Sequence, residues 1–277
     1  MKGLIVEFTK MNGAGNDFIV IDNRFYHFSI AELSQIALQQ CPRRTGIGAD
    51  GVLALASPES SDADYRMIYI NADGSEGTMC GNGARCLAKF AYEGGILKRQ
   101  VSMQTASGSC MVSIPEEGPV RIYVDPPKNY DRSLRLETQL PDAIDSVHYL
   151  WPGTQHLVCL TNNVVKFKVD TWGPIFRHDP ALAPEGANIN FVELDSSDSS
   201  IKVRTYEKGV EAETLACGTG AVASTFVAHA VGLIKGHVCH VKMKGGTLTV
   251  GLEEDRVYLE GPATSVYRGS FLRIPTA

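Results

Sequence analysis

The sequence predicts an α+β protein of two pseudo-symmetric domains, each a mainly antiparallel, curved sheet or barrel around a central helix. Three observations lead to this prediction. A helix start of the form Cys-Gly-x-Gly occurs twice, at Cys80 and Cys217, 137 positions apart (217 − 80). Other blocks recur in the same order at nearly the same separation. Each half also combines many short strand-like runs with one long helix of small residues.

The repeated blocks lie on both sides of the two cysteines. Residues 121–127 (RIYVDPP) match residues 256–262 (RVYLEGP), 135 positions later (256 − 121). A weaker match joins residues 48–55 to residues 188–194, at a separation of 140 (188 − 48). A single Cys-Gly-x-Gly arises easily by chance, but an ordered set at a nearly constant separation indicates an internal duplication.

Local signals predict a similar order of elements in both halves, with a short segment ending at Arg177-His178 in the second half where the first half has the helix over 30–40. In the first half we expect strands over residues 8–22 around a Gly-rich turn, a helix over 30–40 capped by Ser29, strands over 52–56 and 65–70, a helix over 84–92, and strands near 101, 110–114 and 120–124. In the second half we expect strands over 146–151, 157–160, 187–194 and 201–206, a helix over 221–231, and strands over 238–243, 247–252, 256–260 and 266–274. The two prolines at 126 and 127 and the polar, irregular stretch 128–141 place the domain boundary there.

Composition excludes several classes of protein. A net charge of −5 and a hydrophobic content of 44% describe a soluble globular protein without a basic footprint, so we expect no nucleic-acid partner and no membrane partner. The first seven residues lack the apolar core of a signal peptide, and no run reaches the ~18 apolar residues of a spanning helix. Seven irregularly spaced cysteines argue against a secreted disulfide framework, so we expect a cytoplasmic protein.

Both repeated cysteines stand where a Gly-rich loop is expected to turn into a helix. A helix start offers unpaired N–H groups and a partial positive charge, which bind a small anion and favour a thiolate over a thiol. In two pseudo-symmetric domains, the helix starts can face each other and hold one carboxylate between them. One sulfur would then remove a hydrogen from the neighbouring carbon while the other supplies one to the opposite face. This chemistry inverts stereochemistry and needs no cofactor.

The remaining cysteines lack a repeat partner in a helix-start context and are interpreted as structural: Cys41, Cys86, Cys110, Cys159 and Cys239. A buried small hydrophobe is also the plain interpretation of any single cysteine. No Cys-x-x-Cys pair or Cys/His cluster with ligand spacing occurs, so we expect no zinc or iron–sulfur site.

Three blocks resemble the signatures of the diaminopimelate epimerase family: residues 11–18 (MNGAGNDF), residues 71–75 (NADGS) with 80–86 (CGNGARC), and residues 206–209 (YEKG) with 213–221 (ETLACGTGA). The resemblance spans the whole chain. It implies an isomerase that converts LL- to meso-diaminopimelate without pyridoxal phosphate, for lysine and peptidoglycan precursor synthesis. It also implies that the last strand returns to the first domain, which gives domains of residues 1–127 plus 264–277 and of residues 128–263.

The resemblance also implies roles for individual residues. Cys80 and Cys217 match the acid–base pair, and His156 and Glu207 match residues that help to set the protonation of the thiols. The residues that match substrate contacts are Asn16, Asn71, Gly81, Asn82, Asn188, Lys208, Gly218 and Thr219. For each asparagine, turn capping is the alternative. A buried, hydrogen-bonded histidine is the alternative for His156, and a surface ion pair with Lys208 or Arg204 is the alternative for Glu207.

Four positions depart from the family pattern, which usually has Asn-Pro at Thr154-Gln155, Arg at Lys208 and Gln at Gly51. In the family, the positions of Thr154-Gln155 and of Lys208 hold the distal amino-acid group of diaminopimelate. An arginine fork holds a carboxylate bidentately and a lysine does not. We therefore expect relaxed specificity, with a shorter acidic amino acid such as glutamate inverted beside diaminopimelate.

Two other functions remain open on the sequence. A dedicated two-cysteine amino-acid racemase is the main alternative enzyme, and a thiol redox sensor in which Cys80 and Cys217 form a disulfide is the alternative from another class. A non-enzymatic binding module leaves the duplicated cysteine unexplained. The sequence does not determine which cysteine serves which enantiomer. It also leaves the oligomeric state open, and a homodimer is one such state. Closure of the two domains on the substrate is an expectation.

Overall fold

A computed structural model describes residues 3–116, 118–195, 197–198 and 200–273 of the chain. These residues divide into two compact units. The first extends to Ile122 and resumes at Gly261, and the second is Tyr123–Glu260. Residues 274–277, assigned above to the first domain, lie outside the described residues, as do residues 196 and 199, between the strands predicted over 187–194 and 201–206.

The first unit alternates short strands with helices. Its elements are, in chain order, β1 (Leu4–Gly13), β2 (Asn16–Asp22), α1 (Asn23–Tyr26), α2 (Ile30–Gln40), β3 (Gly51–Ala56), β4 (Tyr65–Asn71), β5 (Glu76–Gly77), α3 (Gly81–Glu93), β6 (Gln100–Thr105), β7 (Gly108–Ser113) and β8 (Val120–Val124). The two longer helices begin as the sequence predicts. Ser29 caps α2 with a capping box, and Cys80 is the N-cap of α3.

Helices cover both faces of the sheet in the first unit. Its strand pairs are antiparallel except for β2–β3 and β4–β6, which are parallel. Parallel neighbours need a crossover, and α2 and α3 supply the two crossovers. On β3, Val52 joins the core under α2, whereas Leu53 lies against Gly83 at the start of α3. This two-sided burial explains the unbroken apolar run of β3.

The second unit repeats this plan. Its elements are β9 (Lys128–Asp131), β10 (Ile144–Trp151), β11 (His156–Thr161), α4 (Val169–Arg177), a 3₁₀ turn (Pro180–Leu182), β12 (Asn188–Asp195), β13 (Ser200–Glu207), β14 (Ala212–Thr214), α5 (Gly218–Ala230), β15 (Val238–Met243), β16 (Gly246–Leu252) and β17 (Val257–Gly261). Here β11–β12 and β13–β15 are parallel, and the crossovers are α4 and α5. The first unit's order of pairing is thus reproduced strand for strand.

The last strand, β18 (Thr264–Arg273), belongs to the first unit. It pairs antiparallel with β1, in the place that β9 holds beside β10. The predicted duplication and the α+β fold class are therefore confirmed. One detail of the alignment is corrected. The strands β3 and β12 begin at Gly51 and Asn188, 137 positions apart (188 − 51) like the two cysteines, rather than 140.

One stretch expected to be irregular forms a strand. Residues 128–131 make β9, and its register with β10 places Asp131 opposite Tyr149 and Lys128 opposite Trp151. The prediction was wrong because pairing with a neighbouring strand, rather than side-chain hydropathy, defines this polar strand. Among the described residues, no helix has the length and apolarity needed to cross a membrane.

Candidate functional site

Cys80 occupies the N-cap of α3. Its backbone is extended (φ −135°, ψ 112°), and its sulfur accepts a hydrogen bond from the N–H of Gly83 at 3.4 Å. The sulfur therefore takes the role that a serine or aspartate oxygen plays at an ordinary helix start. Cys80 is partly exposed, so its sulfur sits at the positive end of the helix within reach of a small molecule.

A chain of side-chain amides supports this helix start. Asn82, only 3% exposed, donates from Nδ2 to Oδ1 of Asn16 at 2.5 Å. Asn16 in turn donates to Oδ2 of Asp50 at 3.1 Å. The turn between β1 and β2 can approach because Gly13 has no side chain: a Cβ there would lie 2.8 Å from the carbonyl oxygen of Asn82.

The amide chain ends in a cluster of four charges. Asp50 accepts from Arg43 at 2.7 Å, and Arg43 also binds Asp17 at 2.8 Å. Lys10, only 7% exposed, binds Asp17 at 2.7 Å. Burial opposes ionisation of Asp17, but hydrogen bonds from Arg43 and Lys10 outweigh it and lower the pKa of Asp17 to about 2. The cluster has no net formal charge, and through Asp50 it holds the side chain of Asn16 in place.

Cys217 occupies the equivalent N-cap of α5. Its backbone has almost the same dihedral angles (φ −123°, ψ 113°), and its sulfur accepts from the N–H of Gly220 at 3.3 Å. The sulfur also lies 3.5 Å from Oγ1 of Thr219. Unlike Cys80, Cys217 is buried, with 5% exposure.

Glu207 lies beside Cys217 at the end of β13. Burial raises the pKa of the Cys217 thiol well above its usual value, and the charge of Glu207 and its hydrogen bonding to the sulfur raise it further. Burial also raises the pKa of Glu207. The thiol form of Cys217, with its hydrogen directed toward the Glu207 carboxylate, is the stable form near neutral pH.

His156 begins β11 and is completely buried. Asn190 donates from Nδ2 both to the carbonyl of Leu157 at 3.1 Å and to Nδ1 of His156 at 2.9 Å. Since Nδ1 accepts, the neutral imidazole carries its hydrogen on Nε2, which donates to Oγ1 of Thr219 at 2.9 Å. Burial lowers the pKa of His156 to about 3, so the ring stays neutral. The hydroxyl of Thr219 is then free to donate toward Cys217.

Asn188 and Lys208 meet at the edge of this site. The side-chain oxygen of Asn188 accepts from the backbone N–H of Lys208 at 2.8 Å, and its Nδ2 lies 3.3 Å from Nε2 of His156. Lys208 donates from Nζ to Oε1 of Gln155 at 2.7 Å. Two of the positions that depart from the family pattern are therefore direct partners.

The other predicted residues fall at the helix starts or in a nearby turn. Gly81 and Gly218 are the first residues of α3 and α5. Asn71 ends β4, where its side chain binds the hydroxyl of Ser75 at 3.0 Å and its N–H binds the Ser75 carbonyl. Asn71 thus makes the turn-capping contact named above as the alternative role.

None of the seven cysteines, all of which lie in the described part of the chain, forms a disulfide. Burial raises the pKa of Cys41 to about 11 and those of Cys86 and Cys110 to about 12, and it also raises the pKa of Cys159 and Cys239. These five groups are therefore thiols near neutral pH, which supports a structural role. The described residues contain no group of three or more His, Cys, Asp or Glu side chains placed to hold a metal ion.

Sequence analysis missed Asn190, which fixes the tautomer of His156, and Arg85, which is completely buried in α3 and donates to Asn82 at 2.5 Å. A signal was present for both. Asn190 follows Asn188 by two residues, so both amides lie on one face of a buried strand. Arg85 lies on a helix whose other buried positions, apart from Asn82, are small or apolar.

The similarity to known proteins extends over both repeats. The sequence profile of the family described as diaminopimelate epimerase matches residues 8–129 and 149–266. The chain is 42% identical over 265 residues to the diaminopimelate epimerase of Chlorobaculum tepidum, covering 94% of this chain and 99% of that one. It is 36% identical over 275 residues to that of Aquifex aeolicus, covering 95% and 97%.

Solved structures share the fold at low sequence identity. A phenazine biosynthesis protein of the PhzF family from Bacillus anthracis matches with a TM-score of 0.74 at 17% identity, covering 97% of this chain and 99% of that chain. A hydroxyproline epimerase from Agrobacterium vitis, with bound trans-4-hydroxy-L-proline, matches with a TM-score of 0.64 at 15% identity, covering 98% and 92%.

Proposed function

Because the chain belongs to the diaminopimelate epimerase family, we propose that it interconverts LL- and meso-diaminopimelate by passing one α-hydrogen between Cys80 and Cys217. The carrying observation is that both cysteines are N-caps of equivalent helices, and that each sulfur accepts the third N–H of its own helix. This isomerase would act in the cytoplasm on a small amino acid.

The proposed reaction is a two-base proton transfer. The thiolate of one cysteine takes the α-hydrogen as a proton, and the carbon keeps the electron pair as an enolate-like carbanion. The thiol of the other cysteine then gives its proton to the opposite face, which leaves a thiolate there and inverts the centre. Backbone N–H groups of Gly81, Asn82, Gly218 and Thr219 would bind the reacting carboxylate and stabilise the charge that develops on it.

The surroundings of Cys217 suit the donor half of this reaction. The thiol is the stable form, and the adjacent Glu207 carboxylate can accept and return its proton when the sulfur acts in the other direction. Neutral His156 orients Thr219, whose hydroxyl donates to the thiolate that forms. His156 itself has a pKa of about 3 and acts as an orienting hydrogen-bond donor rather than a base.

Deuterium incorporation tests the proposal. In D₂O, the α-hydrogen of diaminopimelate should exchange in the unmodified protein. Because a positioned acid or base contributes roughly 10²–10⁴ in rate, Cys80→Ala and Cys217→Ala should each lower epimerisation by at least about 10². Cys110→Ala is the matched control and should retain full activity. Epimerisation that survives either alanine variant would overturn the mechanism, and disulfide formation without catalysis would favour the redox sensor.

Lys208 and Gln155 give a specific reason to propose relaxed specificity as well. Among the described residues, the Lys208 ammonium is hydrogen-bonded to the neutral side chain of Gln155. A lysine ammonium binds a carboxylate less selectively than the two parallel N–H donors of an arginine. Glutamate or aspartate would then be inverted beside diaminopimelate. This should show as racemisation of both enantiomers of glutamate.

Lys208→Arg is the sharpest test of specificity. It should raise kcat/KM for diaminopimelate relative to glutamate, while Lys208→Met lowers both. If the unmodified protein inverts diaminopimelate alone, the specificity proposal fails and the two-cysteine mechanism stands. Gly51→Gln is not a useful restoration, because a Cβ at Gly51 would lie 2.5 Å from the carbonyl of Ile70 and 2.7 Å from the ring of Tyr69.

A further inference from the structure

Arg85 is the largest of the completely buried side chains, and it lies one turn inside α3 from Cys80. Its Nη2 donates to Oδ1 of Asn82 at 2.5 Å. Its Nε and Nη1 have no hydrogen-bond partner in the described part of the chain, and no ion pair between described residues includes it. Burial lowers its pKa to about 10, which still leaves the guanidinium charged at neutral pH.

This placement is costly for the fold. A buried charge without a carboxylate partner is strongly destabilising, and a cation near a helix start is repelled by the positive end of the helix. The second unit shows that the fold does not require it. The residue five positions after Cys217 is Val222, which is buried in α5 at the equivalent place. Packing alone therefore does not account for an arginine here.

Arg85 fixes the direction of the amide chain. A guanidinium only donates, so Asn82 must present its oxygen to Arg85 and its NH₂ to Asn16. Asn16 must then present its NH₂ to Asp50, which only accepts. A donor-only group at one end and an acceptor-only group at the other leave a single arrangement for both amides. This arrangement holds Gly81, the first residue of α3, which directly precedes Asn82.

The cations on the strands around α3 have carboxylate partners. The charged and titratable side chains on the strands that pack against it are Glu7 and Lys10 on β1, Asp17 and Asp22 on β2, Tyr65, Arg66 and Tyr69 on β4, and Tyr267, Arg268 and Arg273 on β18, with none on β3. Each of their cations has a carboxylate partner: Asp17 for Lys10, Glu59 for Arg66, Glu93 for Arg268 and Glu32 for Arg273. On α3 itself stand Arg85, Cys86, Lys89, Tyr92 and Glu93.

We propose that Arg85 is a positioning residue for the first cysteine, orienting Asn82 and Asn16 and supplying the buried positive charge that favours the Cys80 thiolate. The inference rests on the proposed function, since it assigns Cys80 as the thiolate of the resting enzyme. Arg85 and Cys80 interact electrostatically, as do Arg85 and Cys86, but burial keeps Cys86 a thiol. The Cys80 thiolate is then the anion that compensates the guanidinium.

Alkylation of Cys80 measures this effect without substrate. The full-length protein is treated with iodoacetamide across a pH range, and modification of the peptide that carries Cys80 is followed by mass spectrometry. Arg85→Gln keeps a donor for Asn82 but removes the charge, so it should move the midpoint of the Cys80 profile to higher pH. At a pH well below both midpoints, a midpoint one pH unit higher should make alkylation about tenfold slower. Arg85→Lys should keep the original midpoint.

Two controls separate charge at Arg85 from general disturbance. Lys89→Met removes a cation from the same helix beyond Arg85 and should leave the Cys80 profile unchanged. Val222→Met alters the equivalent place in α5 and should also leave Cys80 unchanged. If Arg85→Gln does not fold, the pH profile of kcat is measured in Arg85→Lys instead. Because lysine keeps the positive charge, the acidic limb of this profile should stay in place. A shift as large as the one expected for Arg85→Gln would contradict the proposal.

The outcomes for the inference and for the proposed function are distinct. An unchanged Cys80 profile in folded Arg85→Gln overturns the role of Arg85, whatever the activity. Epimerisation that survives Cys80→Ala overturns the proposed function, even where Arg85 still controls the reactivity of Cys80.

Discussion

The two helix starts share a backbone and differ in charge. At both, a cysteine N-cap with nearly identical dihedral angles receives the N–H of a glycine three residues on. A buried cation, Arg85, lies near Cys80, whereas a partly buried carboxylate, Glu207, lies beside Cys217. Duplication therefore preserved the geometry that places a sulfur, whereas the charged side chain near each sulfur differs between the two units.

This difference supplies what a two-base reaction needs. Two identical sites would favour the same protonation state, and the enzyme would hold two thiols or two thiolates. On the proposed mechanism, the carboxylate keeps Cys217 protonated and the guanidinium keeps Cys80 ionised. One base and one acid are thus present before the substrate arrives.

Glu207→Gln should have the largest effect on this asymmetry. Without the carboxylate, the Cys217 proton has no acceptor, so kcat/KM should fall by roughly 10²-fold or more. The pKa of Cys217 should also fall, because a negative neighbour is removed, and its alkylation at pH 8 should become faster. Kinetics and peptide mass spectrometry check both effects, with Cys80 alkylation as the internal reference. Equal changes at both cysteines would contradict the comparison.

Gly220→Ala should break the second helix start by crowding. A Cβ there would overlap Oδ1 of Asn190 and approach Sγ of Cys217 to 3.2 Å, so the support of His156 must shift. Overpacking of this kind costs about 1–3 kcal/mol. Urea unfolding measures the loss of stability.

Gly236→Ala is the matched control for this crowding, since its Cβ would meet nothing closer than 3.8 Å. It should leave the free energy of unfolding nearly unchanged. A Gly220→Ala protein as stable as this control would show that Asn190 has room to move.

Thr219→Val should have a smaller effect, confined to Cys217. The Nε2–H of His156 would lose its acceptor, at a cost of about 1 kcal/mol, and Cys217 would lose a hydroxyl that stabilises its thiolate. Turnover should fall about tenfold, and Thr219→Ser should restore it. The pH profile of Cys217 alkylation should move upward in the valine variant only, and the same change in the serine variant would exclude the hydroxyl as its cause.

Acid should weaken the first unit through Asp17. Its pKa is about 2 in the folded protein against an ordinary 3.8. A depressed pKa contributes stability above the unfolded value that is lost as the pH falls, so the free energy of unfolding should decrease from about pH 4 toward pH 2. Denaturant unfolding at pH 5 and pH 3 should show a smaller difference in Asp17→Asn than in the unmodified protein. An equal difference in both would remove Asp17 as its source.

Sequence predicted the scaffold better than the electrostatics. The helices α2, α3 and α5, most strands and the repeat follow from periodicity and turn chemistry, because these signals are local, whereas the helices α1 and α4 were not predicted. The strand β9 was missed because a polar strand is defined by its partner β10. Asn190 and Arg85 were missed because their roles depend on contacts with residues distant in the sequence or on burial. His156 was expected near the thiols, but its neutral state follows only from complete burial and from the hydrogen bond of Asn190.

The return of β18 to β1 makes the first unit discontinuous in sequence. During synthesis, β1 leaves the ribosome long before residues 264–273 are made, so its outer edge stays unpaired while the whole of Tyr123–Glu260 emerges. The second unit is continuous and can complete its sheet earlier. The first unit can therefore complete its sheet only after the whole second unit has emerged, and the nascent chain carries an open β-edge until translation is nearly finished.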